Sequence, residues 1–168
     1  GASVEVVDDR ARVLLVDGEA RWEFQYLRNA LVRDPHVTVD AVVFRQPTIP
    51  SGDPTYPVAL PAKPEPTAKG PQPDPLGAYD LIVVGDVRPG DLSAESWGRL
   101  ERYVDTRGGT LVIASGPRSL VAMAGGETSR KLLPVMDPRP VATDALKPDP
   151  KRPALPPGAA MLPASASS

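Results

Sequence analysis

The sequence predicts an α/β fold in which helices cover both faces of a parallel β-sheet. Four short apolar runs rich in Val, Leu and Ile recur along the chain, and segments of helical character follow the first and third of them. Runs of this kind are typical of strands that are buried on both faces. Strands that alternate with helices form a parallel sheet, and their connections are right-handed.

The first half of the chain predicts a strand, a helix and a second strand. The first strand is expected at residues 11–17 and the helix at about 19–33. One apolar stripe runs along that helix and consists of Phe24, Leu27, Ala30 and Leu31. A stripe of this spacing faces the core, so we expect Leu27 to be buried under the sheet. Pro35 ends the helix because the residue before a proline avoids helical geometry, and the second strand follows at 36–44.

The second half predicts two further strands with a helix between them. The third strand is expected at 79–85, and Ser93 is the predicted N-cap of the helix. The Gly-Gly pair at 108–109 ends that helix, since glycine readily adopts the left-handed conformation that closes helices. The fourth strand follows at 110–114, and another short helix is expected at 119–124.

Proline is concentrated in two segments. Of 22 prolines, ten lie in 46–76 and nine in 134–163. We interpret 46–76 as a Pro-rich insertion within a single domain at 1–133, and 134–168 as a Pro/Ala-rich C-terminal extension or linker. Both segments should have less regular structure than the rest, because proline lacks a backbone donor. The insertion is either a surface feature or a ligand for a partner's aromatic groove.

Composition excludes several classes of function. The chain has no cysteine and one histidine, His36, which excludes disulfides, a cysteine nucleophile and a His-rich metal site. A net charge of −2 makes a nucleic-acid-binding face unexpected. No apolar run is long enough for a membrane span in this segment, and no motif predicts a bound cofactor.

Polar residues follow three of the predicted strands. Ligands in open α/β sheets bind beyond the carboxyl ends of the strands, where the strand order reverses. We therefore expect residues 17–23, 85–88 and 115–118 to meet there. The candidate ligand pocket consists of Asp17, Glu19, Arg21, Trp22, Glu23, Asp86, Arg88, Ser115, Gly116 and Arg118.

Each part of this candidate pocket also has a structural interpretation. In that interpretation Arg21 pairs with a neighbouring carboxylate, Trp22 packs against the insertion and Asp86 caps a turn. The turn at 115–118 either binds an anion through backbone N–H groups and Arg118 or only reverses the chain.

Two stretches carry a resemblance to a known family. The first is 13–31, in which Arg-Trp-Glu at 21–23 follows a strand-end Asp-Gly. The second joins Tyr-Asp-Leu-Ile-Val-Val-Gly-Asp at 79–86 to Gly-Gly-Thr-Leu-Val-Ile-Ala-Ser-Gly-Pro at 108–117. Together they resemble the class I glutamine amidotransferase-like domain of bacterial membrane proteins that also carry a von Willebrand factor A domain. The second stretch is shared with many flavodoxin-like domains, so the resemblance implies a flavodoxin-like sheet.

The resemblance also implies where the family's chemistry would lie. Active class I amidotransferases use a cysteine at a strand-to-helix elbow, with a histidine and a glutamate downstream. The elbow falls near 114–117 in this sequence, where Ser115 or a neighbour holds the cysteine position, and no histidine lies downstream. Serine without a base is a poor nucleophile, so the resemblance implies the fold without glutamine hydrolysis.

The sequence leaves three functional hypotheses. The first is a non-catalytic binding or assembly module of a larger, membrane-anchored bacterial protein, which contacts a protein partner or other domains of its parent. The second is a hydrolase in which Asp17, Glu19 or Glu23 acts as base and 115–118 binds the developing anion. The third is a small-ligand sensor that uses the same pocket.

Overall fold

The structure of the protein is a computed structural model. The residues it describes are 10–46, 55–66, 70, 72–114, 116, 123 and 125–133. The chain divides into two units, 1–138 and 139–168, and all described residues lie in the first. The extension predicted at 134–168 lies outside the described residues, as does the helix predicted at 119–124 except for the buried Met123.

The described residues form one sheet of parallel strands, which confirms the predicted α/β fold. Its strands are β1 (Ala11–Glu19), β2 (Val37–Arg45), β3 (Leu81–Val84) and β4 (Thr110–Ile113). Their order across the sheet is β2-β1-β3-β4, and every neighbouring pair is parallel. In the centre, Val16 lies beside Val42 on one side and Val84 on the other.

The connections are helical where the sequence predicts helices. The helices are α1 (Trp22–Val32), a 3-10 turn (Pro75–Ala78), α2 (Ala94–Asp105) and the short α3 (Glu127–Lys131). The predicted N-cap is confirmed, since Ser93 Oγ accepts from Ser96 N at 3.1 Å. Gly108 has a φ of 71°, as a left-handed helix end requires. Within the described ranges no helix has the length and apolar character to cross a bilayer.

The two long helices pack on opposite faces of the sheet. Alternate residues of each strand point to opposite faces, so they divide between two apolar clusters. The α2-face cluster includes Leu14, Val16, Ile82, Val84, Leu100 and Tyr103. The α1-face cluster includes Val13, Leu15, Phe24, Val43, Tyr56 and Val83.

The stripe predicted for the first helix is only partly correct. Phe24 is buried, but Leu27 is 38% exposed, so the expectation that it lies under the sheet is wrong. The reason is that α1 packs over β1 and β2, and among the described residues no second helix covers the same face above β3 and β4. Val112 of β4 lies on that open side and is 44% exposed.

The Pro-rich segment covers the edge of the sheet at β2. Residues 55–66 contain no helix or strand, yet they place Tyr56 in the α1-face cluster and Leu60 in the α2-face cluster. Val43 N in β2 donates to Pro57 O at 2.9 Å, so an edge donor is satisfied by this segment. Covering an edge strand prevents it from pairing with other chains, and prolines at an edge interrupt no ladder.

Candidate functional site

The polar ends of the strands surround a pocket at the carboxyl edge of the sheet. The chain leaves β1 toward β2 and leaves β3 toward β4, so a crevice forms between the ends of the adjacent strands β1 and β3. A cavity of about 340 Å³ lies there. Its apolar wall consists of Leu15, Phe24, Leu27, Val83 and Ala114. Its polar part consists of Asp17, Arg21 and Glu23, with Gly85 and Gly116 beside them.

Asp17 is the buried carboxylate of the pocket. Arg21 donates to it through Nε, 3.4 Å from Oδ1, and through Nη2, 3.1 Å from Oδ2. The backbone N–H of Glu19 also donates to Oδ1 at 3.2 Å. Gly85, which directly follows the neighbouring strand β3, leaves room for this carboxylate, because a Cβ at that position would overlap it. Asp17 is therefore held in place by its own turn and by Arg21.

Arg21 stands between two carboxylates. Its Nη1 lies 3.6 Å from Glu23 Oε1, while Nη2 binds Asp17. Burial disfavours the charged guanidinium, but the hydrogen bond and charge of Asp17, with the charge of Glu23, outweigh it and raise the pKa of Arg21. The rim thus carries a permanent cation whose nearest partners are acids of the pocket itself.

A second ionic network lies at the same edge, on the β2 side. Arg45 donates to Glu19 Oε1 at 3.2 Å and to Asp91 Oδ1 at 2.7 Å. Arg88 binds the same Glu19 oxygen, and its backbone N–H donates to Asp91 Oδ2 at 2.6 Å. Burial of Arg45 acts against its charge, but the hydrogen bonds with Asp91 and Glu19 raise its pKa. Glu19 and Arg88, predicted for the pocket, belong to this network instead.

The structure brings only some of the predicted residues together. Those that line the pocket are Asp17, Arg21, Glu23 and Gly116. Asp86 is buried beside Gly116, where a Cβ would overlap its carboxyl group. Ser115 and Arg118 lie outside the described residues, and with them the side chains of the predicted anion site.

Trp22 lies on the outer surface of α1 and does not line the pocket. It is 70% exposed, and its ring meets that of Tyr26 edge to face at a centroid distance of 5.8 Å. The interpretation in which Trp22 packs against the Pro-rich insertion is therefore wrong. The helix begins at Trp22 itself, which turns this side chain toward solvent while Phe24 enters the core.

Sequence reasoning missed two charged partners and the apolar wall. Arg45 ends β2 beside Glu19, the last residue of β1, so its place at a strand end is the signal that could have found it. Asp91 carries no such signal, because it lies in the loop before α2. Leu27 is predicted as a core residue from its spacing, and only the tertiary packing shows that it lines a cavity.

The carboxylates proposed as bases are all bound by arginine. Asp17 and Glu23 pair with Arg21, while Glu19 pairs with Arg45 and Arg88. Arginine contacts both oxygens of Asp17, but only Oε1 of Glu19 and Oε1 of Glu23. Among the described residues, no three His, Asp or Glu side chains are arranged to hold a metal ion.

The only histidine of the chain lies far from these carboxylates. His36 precedes β2 at the amino end of the sheet, opposite to the pocket.

No protein-family model, curated protein or solved structure matches the chain. Its function must therefore be inferred from the pocket itself.

Proposed function

We propose that the chain is a non-catalytic glutamine amidotransferase-like domain that acts as a binding or assembly module of a larger, membrane-anchored bacterial protein. The observation that carries the proposal is the pocket at the carboxyl edge, where an apolar wall lies below a rim of arginine-bound carboxylates. The strand order β2-β1-β3-β4 supports the family part, since flavodoxin-like sheets begin with this order.

The pocket fits an apolar side chain of a partner. Its volume of about 340 Å³ lies at the lower end of the range for ligand sites. Leu27 and Val83 offer apolar surface to an occupant, and Leu27 is partly exposed without one. Arg21 and Glu23 at the rim supply one charge of each sign, which suits a partner's backbone or polar flank. Anchor residues that enter such pockets dominate the affinity of protein interfaces.

The residues of the edge also support a role without catalysis. The chain has no cysteine, and its single histidine lies at the opposite end of the sheet. Amide hydrolysis by a serine would need a base within hydrogen-bond reach. Asp17, Glu19 and Glu23 are held by arginines, which argues against the hydrolase hypothesis.

A titration with blocked amino acids tests the proposal. N-acetylleucinamide and N-acetylphenylalaninamide stand in for partner side chains, and N-acetylglycinamide is the control without one. We expect saturable NMR shifts at the methyl groups of Leu15, Leu27 and Val83 with the first two probes only. Ala114→Phe fills the pocket and should abolish the shifts, whereas Val58→Ala, outside the pocket, should leave them unchanged. Shifts that are absent, or that persist in Ala114→Phe, would contradict the proposal.

The same titration distinguishes the small-ligand sensor. A sensor would recognise free ligands by their charges, so free leucine would bind much more tightly than N-acetylleucinamide through Arg21 and Glu23. A partner-binding pocket gives equal or tighter binding of the blocked form, because a side chain within a polypeptide has no free ammonium or carboxylate group.

A further inference from the structure

We infer that the outer face of α1 is a self-association surface on which two copies of this chain pair antiparallel about a two-fold axis. The surface, here called the outer stripe, consists of Trp22, Gln25, Tyr26, Asn29, Ala30 and Arg33. None of these residues lines the pocket at the carboxyl edge, so the inference is independent of the proposed function.

The outer stripe exposes two large aromatic side chains. Trp22 is 70% and Tyr26 is 73% exposed, although Trp and Tyr bury large areas when they have a partner. They contact each other edge to face, so they form one continuous aromatic patch. Trp, Tyr and Arg are the residues that contribute most to protein interfaces.

The stripe is complementary to itself when two helices run antiparallel. Pairing about the midpoint between residues 27 and 28 sets Trp22 of one copy opposite Arg33 of the other. The same pairing sets Tyr26 opposite Asn29, and it sets Gln25 opposite Ala30. Every contact occurs twice, as an isologous two-fold interface requires.

The chemistry of each pair favours this register. An Arg33 guanidinium over the Trp22 indole gives a cation–π contact. Ala30 is small enough for the helices to approach closely. A parallel pairing would instead set Arg33 against Arg33, and like charges repel.

The size of the surface predicts weak association. The outer stripe has six residues, whereas a stable interface has roughly 20–30 residues a side. We therefore expect a dimer that forms reversibly as concentration rises.

Cysteine cross-linking tests the register directly. The natural chain contains no cysteine, so single cysteines report without background. Gln25→Cys and Ala30→Cys leave Trp22 and Arg33 intact. The two variants are prepared with different masses, mixed and oxidised, so that each disulfide-linked dimer is identified by its mass. We expect the amount of the mixed dimer, linked between residues 25 and 30, to exceed the amount of either homodimer several-fold. Val58→Cys, exposed outside the stripe, reports random collision.

Second variants separate pairing from folding. Trp22→Ala or Arg33→Glu, added to both cysteine variants, should reduce the 25–30 dimer to the collisional amount while circular dichroism stays unchanged. The inference would be overturned if the mixed dimer forms no more than the Val58→Cys dimer, or if Trp22→Ala does not reduce it. A preference for dimers linked between two copies of residue 25 would also overturn it. Ala114→Phe should not affect cross-linking, so failure here is distinguishable from failure of the pocket proposal.

Discussion

The buried carboxylate of Asp17 depends on Gly85, the residue that directly follows the neighbouring strand β3. Gly85 N donates to Val16 O at 2.7 Å, which brings the two strand ends into close contact. A side chain at Gly85 would occupy the space of the Asp17 carboxylate, which Arg21 also binds. The sequence predicted that these residues meet, because both end strands at the same edge of a parallel sheet. It could not predict the close approach, which follows from the register of β1 and β3.

Gly85→Ala should therefore destabilise the fold. Inserting a methyl group into an occupied site costs about 1–3 kcal/mol, so we expect a loss of that size in urea unfolding. Gly98→Ala is the matched control, since Gly98 lies inside α2 and faces only the flexible end of Arg102. That change should stabilise by about 0.5–1 kcal/mol, because alanine is the better helix former. Equal effects of the two substitutions would mean that Gly85 is not in close contact with Asp17.

A second carboxylate, Asp74, gives a pH-dependent prediction. Arg99 donates to it from Nε at 2.8 Å and from Nη2 at 2.7 Å, and the backbone N–H of Leu76 donates at 3.0 Å. The Arg99 hydrogen bonds lower the pKa of Asp74, although burial acts against them. A carboxyl whose pKa is lower in the folded than in the unfolded state stabilises the fold above the unfolded value, about 3.9. That stabilisation is lost as pH falls through the folded value.

Asp74→Asn removes this negative charge but keeps a side-chain oxygen that can accept the hydrogen bond from the Leu76 backbone N–H. We expect it to lower the free energy of unfolding by about 2 kcal/mol at pH 7, the size for a hydrogen bond to a charged group. The difference from the natural protein should shrink as pH falls below about 4. Asp34→Asn is the control, because Asp34 is exposed and accepts only from the His36 backbone at 2.9 Å. A difference for Asp74→Asn that does not change with pH would exclude the ion pair as its cause.

The Pro-rich segment behaves as a structural element without regular structure. The side-chain amide of Gln46 makes two hydrogen bonds with the backbone of Tyr56. Its Nε2 donates to Tyr56 O at 2.8 Å, and its Oε1 accepts from Tyr56 N at 3.4 Å. The Tyr56 ring meets Phe24 at 5.5 Å, and Arg99 donates to Pro61 O at 2.8 Å. Residues 55–66 thus fasten β2 to both helices. Sequence periodicity could not predict this, because each buried side chain is selected by the sheet edge and not by a local repeat.

Alanine substitutions along this segment test its contribution. Tyr56→Ala should cost about 3–5 kcal/mol and Leu60→Ala about 2–5 kcal/mol, as for large buried side chains. Val58 lies between them and is 56% exposed, so Val58→Ala should cost less than about 0.5 kcal/mol. Chemical unfolding of the three variants measures these values. Losses below about 1 kcal/mol for both buried residues would show that the segment is only a surface insertion.

The regular elements were easier to predict than their ends and faces. Each strand was expected because a buried parallel strand needs a continuous apolar run. The first strand extends two residues further than expected, to Glu19, because Glu19 pairs with Arg45 in the sheet, so the helix begins at Trp22. Leu27 was misassigned because its spacing indicates an apolar face but not how far the sheet beneath it is covered.

The parallel topology brings residues that are distant in the sequence to one edge of the sheet. Asp17 lies near the end of β1, while Gly85 and Ala114 directly follow β3 and β4, yet all three line one pocket. The alternation of strands and helices was sufficient to predict that these residues meet at this edge. The pairing of Arg21 with a neighbouring carboxylate was predictable from the sequence, since Asp17 lies four residues before it. The ion pair of Arg45 with Asp91 was not, because these residues are 46 positions apart and meet only in the folded chain.

If this edge binds without catalysing, the chain should release no ammonia from glutamine. The purified chain is incubated with glutamine beside a Ser115→Ala variant, which removes the residue that the family resemblance puts at the nucleophile position. We predict that both release no more ammonia than a blank without protein, because the chain has no cysteine and its candidate bases are bound by arginine. Turnover in the natural chain that disappears in Ser115→Ala would contradict the account and identify Ser115 as a nucleophile.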